Sequence, residues 1–194
     1  MRNLHLILVL ATSLLPFATV QAAPADLPET GQTTCYTAGV TACATTGQDG
    51  DHLAGVAWPT PRFVVGTGVG TTDQCVTDSL TGLMWVRSPS ITLATWANAL
   101  TSANNLSLCG FSDWRLPNVN ELESLVNREV TNQAAFLNDQ FFDDVQAFTY
   151  WSSSSSADNA ANAWTVSMNN GSVLAGDKAD KSNSYHVWPV RAGQ

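Results

Sequence analysis

The stretch Asp113-Trp114-Arg115-Leu116-Pro117-Asn118-Val119-Asn120-Glu121-Leu122 constrains the fold of this chain more than any other. Pro117 bars Leu116 from the helical region, so Trp114 to Leu116 runs extended. Asn118 is then placed to cap a helix, with Glu121 three residues on reaching back to the cap's own N–H. Leu122, Leu125 and Val126 follow at helical spacing and face a core. Trp114, Arg115 and the helix start therefore meet at one corner. Arg115 is expected there as a buried side chain tied to loop carbonyls or a carboxylate, because a buried guanidinium must be paired.

The start of the chain is of another kind. Arg2 gives a basic beginning, Leu4 to Val20 is almost wholly apolar, and Val20-Gln21-Ala22 offers small residues for cleavage. Residues 1–22 thus read as a secretory signal peptide. Thr12, Ser13 and Pro16 interrupt the apolar run, which makes it a poor spanning helix. No lipobox cysteine follows it, which argues against a lipoprotein. The rest suffices for one domain with a sizeable core, spanning 62–191, preceded by an irregular extension over 23–61. The full chain carries a formal charge of −8, and loss of Arg2 takes it to −9. Such a surface repels polyphosphate, so nucleic acid and anionic membrane are poor partners.

Four cysteines in an exported chain favour two disulfides. Of the three connectivities, Cys35–Cys43 with Cys75–Cys109 is the expected one. The first pair shares a short Gly- and Thr-rich loop, and the second flanks a longer segment. A zinc site is the alternative, but the spacings match no Cys/His ligand pattern. In Gly47-Gln48-Asp49-Gly50-Asp51-His52, two aspartates around a glycine suit calcium. The further oxygen ligands and distal glutamate of a calcium loop are missing, so a tight turn with solvated aspartates is expected.

Trp58-Pro59-Thr60-Pro61-Arg62-Phe63 marks the entry to the domain. Val76-Thr77-Asp78 and Leu83-Met84-Trp85-Val86 flank Ser79 to Gly82 as a hairpin. From Thr92 to Leu106, Leu93, Trp96, Ala97 and Leu100 recur at helical spacing, which predicts an amphipathic helix capped by Ser90 or Thr92. The helix after Pro117 should end near Asn127, and Phe136-Leu137 and Phe141-Phe142 should plug the core from loops. The C-terminal third reads as strands at Tyr150–Ser154, Ala163–Met168 and Ser172–Leu174, with Asn169-Asn170-Gly171 as a hairpin turn. A last strand over Val187–Arg191 is held to an edge or bulge by Pro189. Strands at both ends and two helices between them make an α+β domain.

Four of these segments together resemble one family. They are Thr81-Gly82-Leu83-Met84-Trp85, Gly110 to Asn118, Tyr150 to Ser154, and Val187-Trp188-Pro189-Val190-Arg191. The family is the Lcl C-terminal domain family, named for a bacterial collagen-like surface protein and long regarded as a domain of unknown function. The resemblance spans about 62–191, and Cys43 to Asp51 is similar to a leader many members carry. Gly66 to Thr72 departs from it, since members often have an Asp/Asn-Gly-rich turn there. The resemblance implies a C-type-lectin-like fold, related to that of the formylglycine-generating enzyme, and implies no catalytic residues.

Three functions compete. An exported binding module, such as an adhesin-type domain, would engage a glycan or a protein at the cell surface. The export signal and seven tryptophans in a neutral polar background favour it. The acidic charge disfavours sulfated glycans. Calcium-dependent sugar binding would need a downstream Asn-Asp pair to accompany Leu116-Pro117-Asn118, and none follows, so no cofactor is assigned. An enzyme of the formylglycine-generating type would need reactive cysteines late in the chain, and none lies beyond Cys109. His52 and His186 show no metal spacing, and Ser152 to Ser156 lacks a nucleophile turn. A structural subunit of a surface appendage or exported complex is the third reading. For the first, long connections over 131–160 and 175–186 are the default binding surface. Asp158, Asn159, Asp177, Asp180 and Tyr185 are the candidate binding residues, expected on one exposed acidic face.

Overall fold

A computed structural model describes residues 27–44, 46–66, 73–175 and 179–193. The signal peptide over 1–22 and the segment from Thr67 to Thr72 lie outside them, as does Asp177. The described chain is α+β, built on two sheets. Strands β3 (Phe63–Val65), β4 (Cys75–Asp78) and β5 (Leu83–Val86) form an antiparallel meander, and β11 (Val190–Ala192) adds to the free side of β5. The second sheet runs in the order β6 (Ser90–Ala94), β10 (Tyr185–Val187), β7 (Thr149–Ser155), β8 (Ala163–Ser167), β9 (Val173–Leu174). Only the β10–β7 pair in it is parallel, through His186 opposite Tyr150. The 76–86 hairpin and the Asn169-Asn170-Gly171 turn stand as expected, the latter with Gly171 at φ 73°.

The corner at Pro117 also forms as its local chemistry dictates. Helix α3 (Val119–Glu123) starts at Asn118, whose side chain accepts from Glu121 N–H at 2.9 Å, and Glu121 Oε2 accepts from Asn118 N–H at 2.8 Å. Arg115 pairs with Glu121 through both guanidinium nitrogens, at 2.7 and 2.6 Å. It is half-exposed rather than buried, because it reaches the mostly covered Glu121 carboxylate from the solvent side of the helix start. Burial pushes the Glu121 carboxyl up, but the Arg115 guanidinium and the Asn118 N–H together bring it below its ordinary value. Arg115 also exchanges two backbone hydrogen bonds with Val190, both 2.9 Å, which moors the corner to the last strand. Asn118→Ala removes the cap and should cost about 1 kcal/mol in urea denaturation. An unchanged midpoint would mean that the helix is held by packing alone.

Several elements of the domain differ from expectation. Residues 90–94 form strand β6, and helix α2 (Trp96–Asn104) begins only after Thr95, which makes no side-chain cap. The buried helical face is Ala99 and Ala103 with Trp96 and Leu100 beside them, while Leu93 is 46% exposed. Pairing of β6 with β10 overrides the helical period at its start. The helix after Pro117 ends at Glu123, with a hydrogen-bonded turn carrying the chain on to Val126. Phe136 and Leu137 lie in a helix, α4 (Gln133–Asn138), capped by Asn132, and Phe141 is exposed whereas Phe142 is core. The expected last strand is two strands in different sheets, joined by a corner at Trp188-Pro189. Each sheet claims the residues that face its own side of the core.

The N-terminal segment is tied to the rest. It contains a two-stranded hairpin, β1 (Cys35–Tyr36) and β2 (Val40–Thr41), and a one-turn helix α1 (Asp49–His52) where a tight turn was expected. Asp49 accepts from the Thr30 hydroxyl and Asp51 from Gly47 N–H. The Glu129 carboxylate takes both Thr33 and Thr34 N–H groups, at 2.9 and 3.0 Å, and the Thr34 hydroxyl as well. Gly31 lies so close to Asn127 that a Cβ there would fall 2.6 Å from its Oδ1. Disulfides join Cys35 to Cys43 and Cys75 to Cys109, the pairing expected.

The core lies between the sheets and under α3 and α4. Trp85, Trp114, Trp151 and Trp188 are each no more than 2% exposed. Arg62 and Asp78 form a buried ion pair at its edge, and the guanidinium also donates to Ser124 O at the end of α3. Its Nη1 finds no acceptor. The guanidinium instead lies against the rings of Trp58 and Phe63, 4.3 and 4.7 Å from their centroids, which offers the cation a π face.

Candidate functional site

The two connections expected to carry the binding surface do meet. The β7–β8 loop closes on itself through Ser156 N–H to Asn162 O and Asn162 N–H to Asn159 O, both 2.9 Å. The turn before β10 lies against it: Asn162 bridges Asp180, and Lys181 N–H donates to Ala161 O at 2.9 Å. Asn159 and Asp180 thus share one rim, and Asp158, exposed on the same loop, stands beside them. Asp177 lies outside the described residues. Tyr185 enters β10 just after the turn and is half-buried, its ring 4.8 Å from Trp151. It forms part of the floor next to the rim rather than the exposed face.

Two of the three acidic and amide side chains in the rim shape its backbone. Asn159 Oδ1 accepts from Ala161 N–H at 3.0 Å and shapes the loop. Asp180 Oδ1 accepts from the Ser182 hydroxyl at 2.6 Å and from Ser182 N–H at 2.8 Å, which closes an Asx turn. The Ser182 hydroxyl, helped by the backbone N–H, holds the Asp180 carboxyl below the usual carboxylate range. Asp158 has no partner among the described residues and points its charge at solvent.

Two residues at this rim were not foreseen. Lys181 Nζ donates to Ala160 O at 2.7 Å and to Ser155 Oγ at 3.0 Å, and lies 4.3 Å from the centroid of the Trp96 ring. Trp96 is anchored by its indole N–H on Ser152 O at 2.8 Å and by its backbone N–H on Lys181 O at 3.1 Å. The periodicity of the helix assigned Trp96 to the core. The signal that it sits at a surface is Lys181, one of few cations in a Ser- and Asn-rich turn. The two polar loops are clamped to each other beside a fixed indole.

Other candidate groups are committed to structure. The serine run is sewn to backbone: Ser152 Oγ donates to Trp164 O, Ser153 Oγ donates to Pro117 O, and Ser154 Oγ accepts from Val119 N–H. The Tyr150 phenol is pushed up to about 12 by burial, and its oxygen accepts from Gln146 N–H. The residues at Leu116-Pro117-Asn118 do not fit calcium. Asn118 Oδ1 is used by the helix cap and Glu121 by Arg115 and the Asn118 N–H. Among the described residues no three His, Cys, Asp or Glu side chains come together as a metal site.

The charges are distributed unevenly. Every described arginine pairs with a carboxylate: Arg62 with Asp78, Arg87 with Asp143, Arg115 with Glu121, Arg128 with Glu123 and Arg191 with Asp113. Lys181 is held by the rim. Glu29, Asp139, Asp144 and Asp158 have no cationic partner among the described residues. The surface potential is therefore negative where it is uncompensated.

Such a molecule is a disulfide-stapled α+β domain of an oxidising compartment. No helix among the described residues is long and apolar enough to cross a membrane. A family model described as the Lcl C-terminal domain matches residues 74–191, and the chain belongs to that family. No curated protein is similar enough to the chain to count as a match. The matched residues include the rim but not the N-terminal segment that docks on α3.

Proposed function

We propose that this chain is an exported, non-catalytic binding module with a C-type-lectin-like fold, which engages a neutral glycan or a protein at the cell surface. The observation that carries the proposal is the clamping of the 156–162 loop onto the 179–183 turn beside Trp96. Binding surfaces are built of loops fixed on a rigid scaffold, and this rim is fixed without occupying Asp158. Membership in a family named for a surface protein supports the location, and so do the two disulfides. The pairing of the described arginines supports the ligand class, because sulfate groups are bound by arginines free to donate.

A glycan array probed with residues 23–194, with calcium and with chelator, tests this reading. Retention of neutral glycans in both conditions is expected, and Asp158→Ala should weaken it several-fold without moving the thermal midpoint. Retention of sulfated glycans alone, or strict dependence on calcium, would overturn it.

A further inference from the structure

A second concavity lies on a different part of the molecule, where the N-terminal segment crosses α3. It has a volume of about 390 Å³, within the range of small-ligand clefts. Its apolar lining comes from Leu27, Trp58 and Val126, and its polar lining includes Glu29, Asn120 and Arg128. The indole is fixed before any ligand arrives. Its N–H donates to Glu29 O at 2.8 Å, the Arg62 guanidinium lies 4.3 Å from its centroid, and Phe136 lies 6.2 Å away.

The polar groups divide into the used and the unused. Arg128 is held by Glu123 at 2.6 Å and by Gly171 O at 2.9 Å. The Glu29 carboxylate and the Asn120 amide have no partner among the described residues. One unmatched negative charge, one free amide and an indole over an apolar floor ask for a ligand with complementary parts. It should carry a cation for Glu29, hydroxyls for Asn120 and an apolar face for the floor. A lysine side chain would supply the cation and leave the amide idle. A phosphate or sulfate would meet Glu29 with like charge and find Arg128 already paired.

We propose that this groove binds an amino sugar, a protonated hexosamine unit whose ammonium pairs with Glu29. The inference rests on the reading of the chain as a binding module and names a ligand for a site apart from the loop rim. Half of the groove comes from residues 27–58, outside the matched residues 74–191, so it is a property of this chain's N-terminal segment.

Calorimetric titration of residues 23–194 at neutral pH with glucosamine, glucose and N-acetylglucosamine tests it. Glucosamine should bind about tenfold more tightly than the two neutral sugars, the expected worth of one charge-assisted hydrogen bond. Glu29→Gln should abolish that preference at an unchanged thermal midpoint, since the carboxylate holds nothing among the described residues. Asn120→Ala should weaken all three sugars. Equal affinities in the unaltered protein, no binding of glucosamine, or a preference that survives Glu29→Gln would each overturn the proposal. Neutral glycans retained on the array with glucosamine silent would remove this site and leave the binding module standing. An empty array would remove the glycan reading of the module and this site with it.

Discussion

Asp78→Ala should lower the stability of the domain by about 3–5 kcal/mol, a large part of what a domain of this size possesses. Asp78 is fully buried and its two oxygens serve four donors. Arg62 Nε and Nη2 reach it at 2.9 and 2.8 Å, Leu80 N–H at 3.0 Å and the Thr81 hydroxyl at 2.8 Å. The carboxylate therefore closes the β4–β5 turn and fixes the arginine that ties β3 to the end of α3. Its removal leaves a guanidinium buried without a counter-charge, which is far costlier than the loss of one hydrogen bond. The paired change Arg62→Met with Asp78→Leu should recover much of the loss, because neither charge then stays behind. Urea denaturation reads both. A loss below about 1 kcal/mol for Asp78→Ala would show that water reaches Arg62 and that the pair is not a structural anchor.

Trp188→Ala should cost a comparable 3–5 kcal/mol, for a different reason. Trp188 is fully buried at the corner where the chain leaves one sheet for the other. Its ring meets Trp85 at 5.7 Å, Phe142 at 5.1 Å and Tyr150 at 5.4 Å, and its N–H donates to Val86 O at 2.8 Å. The substitution opens a cavity among three aromatic rings and leaves the Val86 carbonyl without the indole. Neighbours from both sheets and from the segment after α4 would have to collapse together to fill it. Trp188→Phe keeps most of the volume and should cost less than half as much in the same experiment. Equal losses for the two would place the energy in the hydrogen bond rather than in the packing.

What was legible in the sequence was local. Asn118 and Glu121 announce their helix because the cap and the carboxylate sit three residues apart. Asn170-Gly171 announces its turn because glycine accepts the positive φ. The disulfides followed from compartment and from one short loop and one longer segment that the cysteines flank. What was not legible depends on partners far along the chain. Nothing near Thr92 says that β10 will pair with it, so Leu93, Trp96, Ala97 and Leu100 read as one helix. The split of the last strand at Trp188-Pro189 depends on two sheets that exist only once the core has formed. In the candidate site, the closeness of Asn159 and Asp180 was anticipated only as far as both lie in long loops of the C-terminal half. Trp96 and Lys181 were missed because their contact joins a helix start to a turn near the other end of the chain. The groove at Trp58 was missed for the same reason, since α3 and the N-terminal segment are neighbours only in space.

Ligand is expected to meet the protein at the clamped loops. Nitrogen–proton correlation spectra of residues 23–194, titrated with a neutral glycan retained on the array, test it most directly. Shifts are expected at Asp158, Asn159, Asp180 and Lys181 and at the Trp96 indole N–H, together with binding weakened several-fold in Asp158→Ala. Perturbations that leave 156–162, 179–185 and the Trp96 indole unmoved would contradict it.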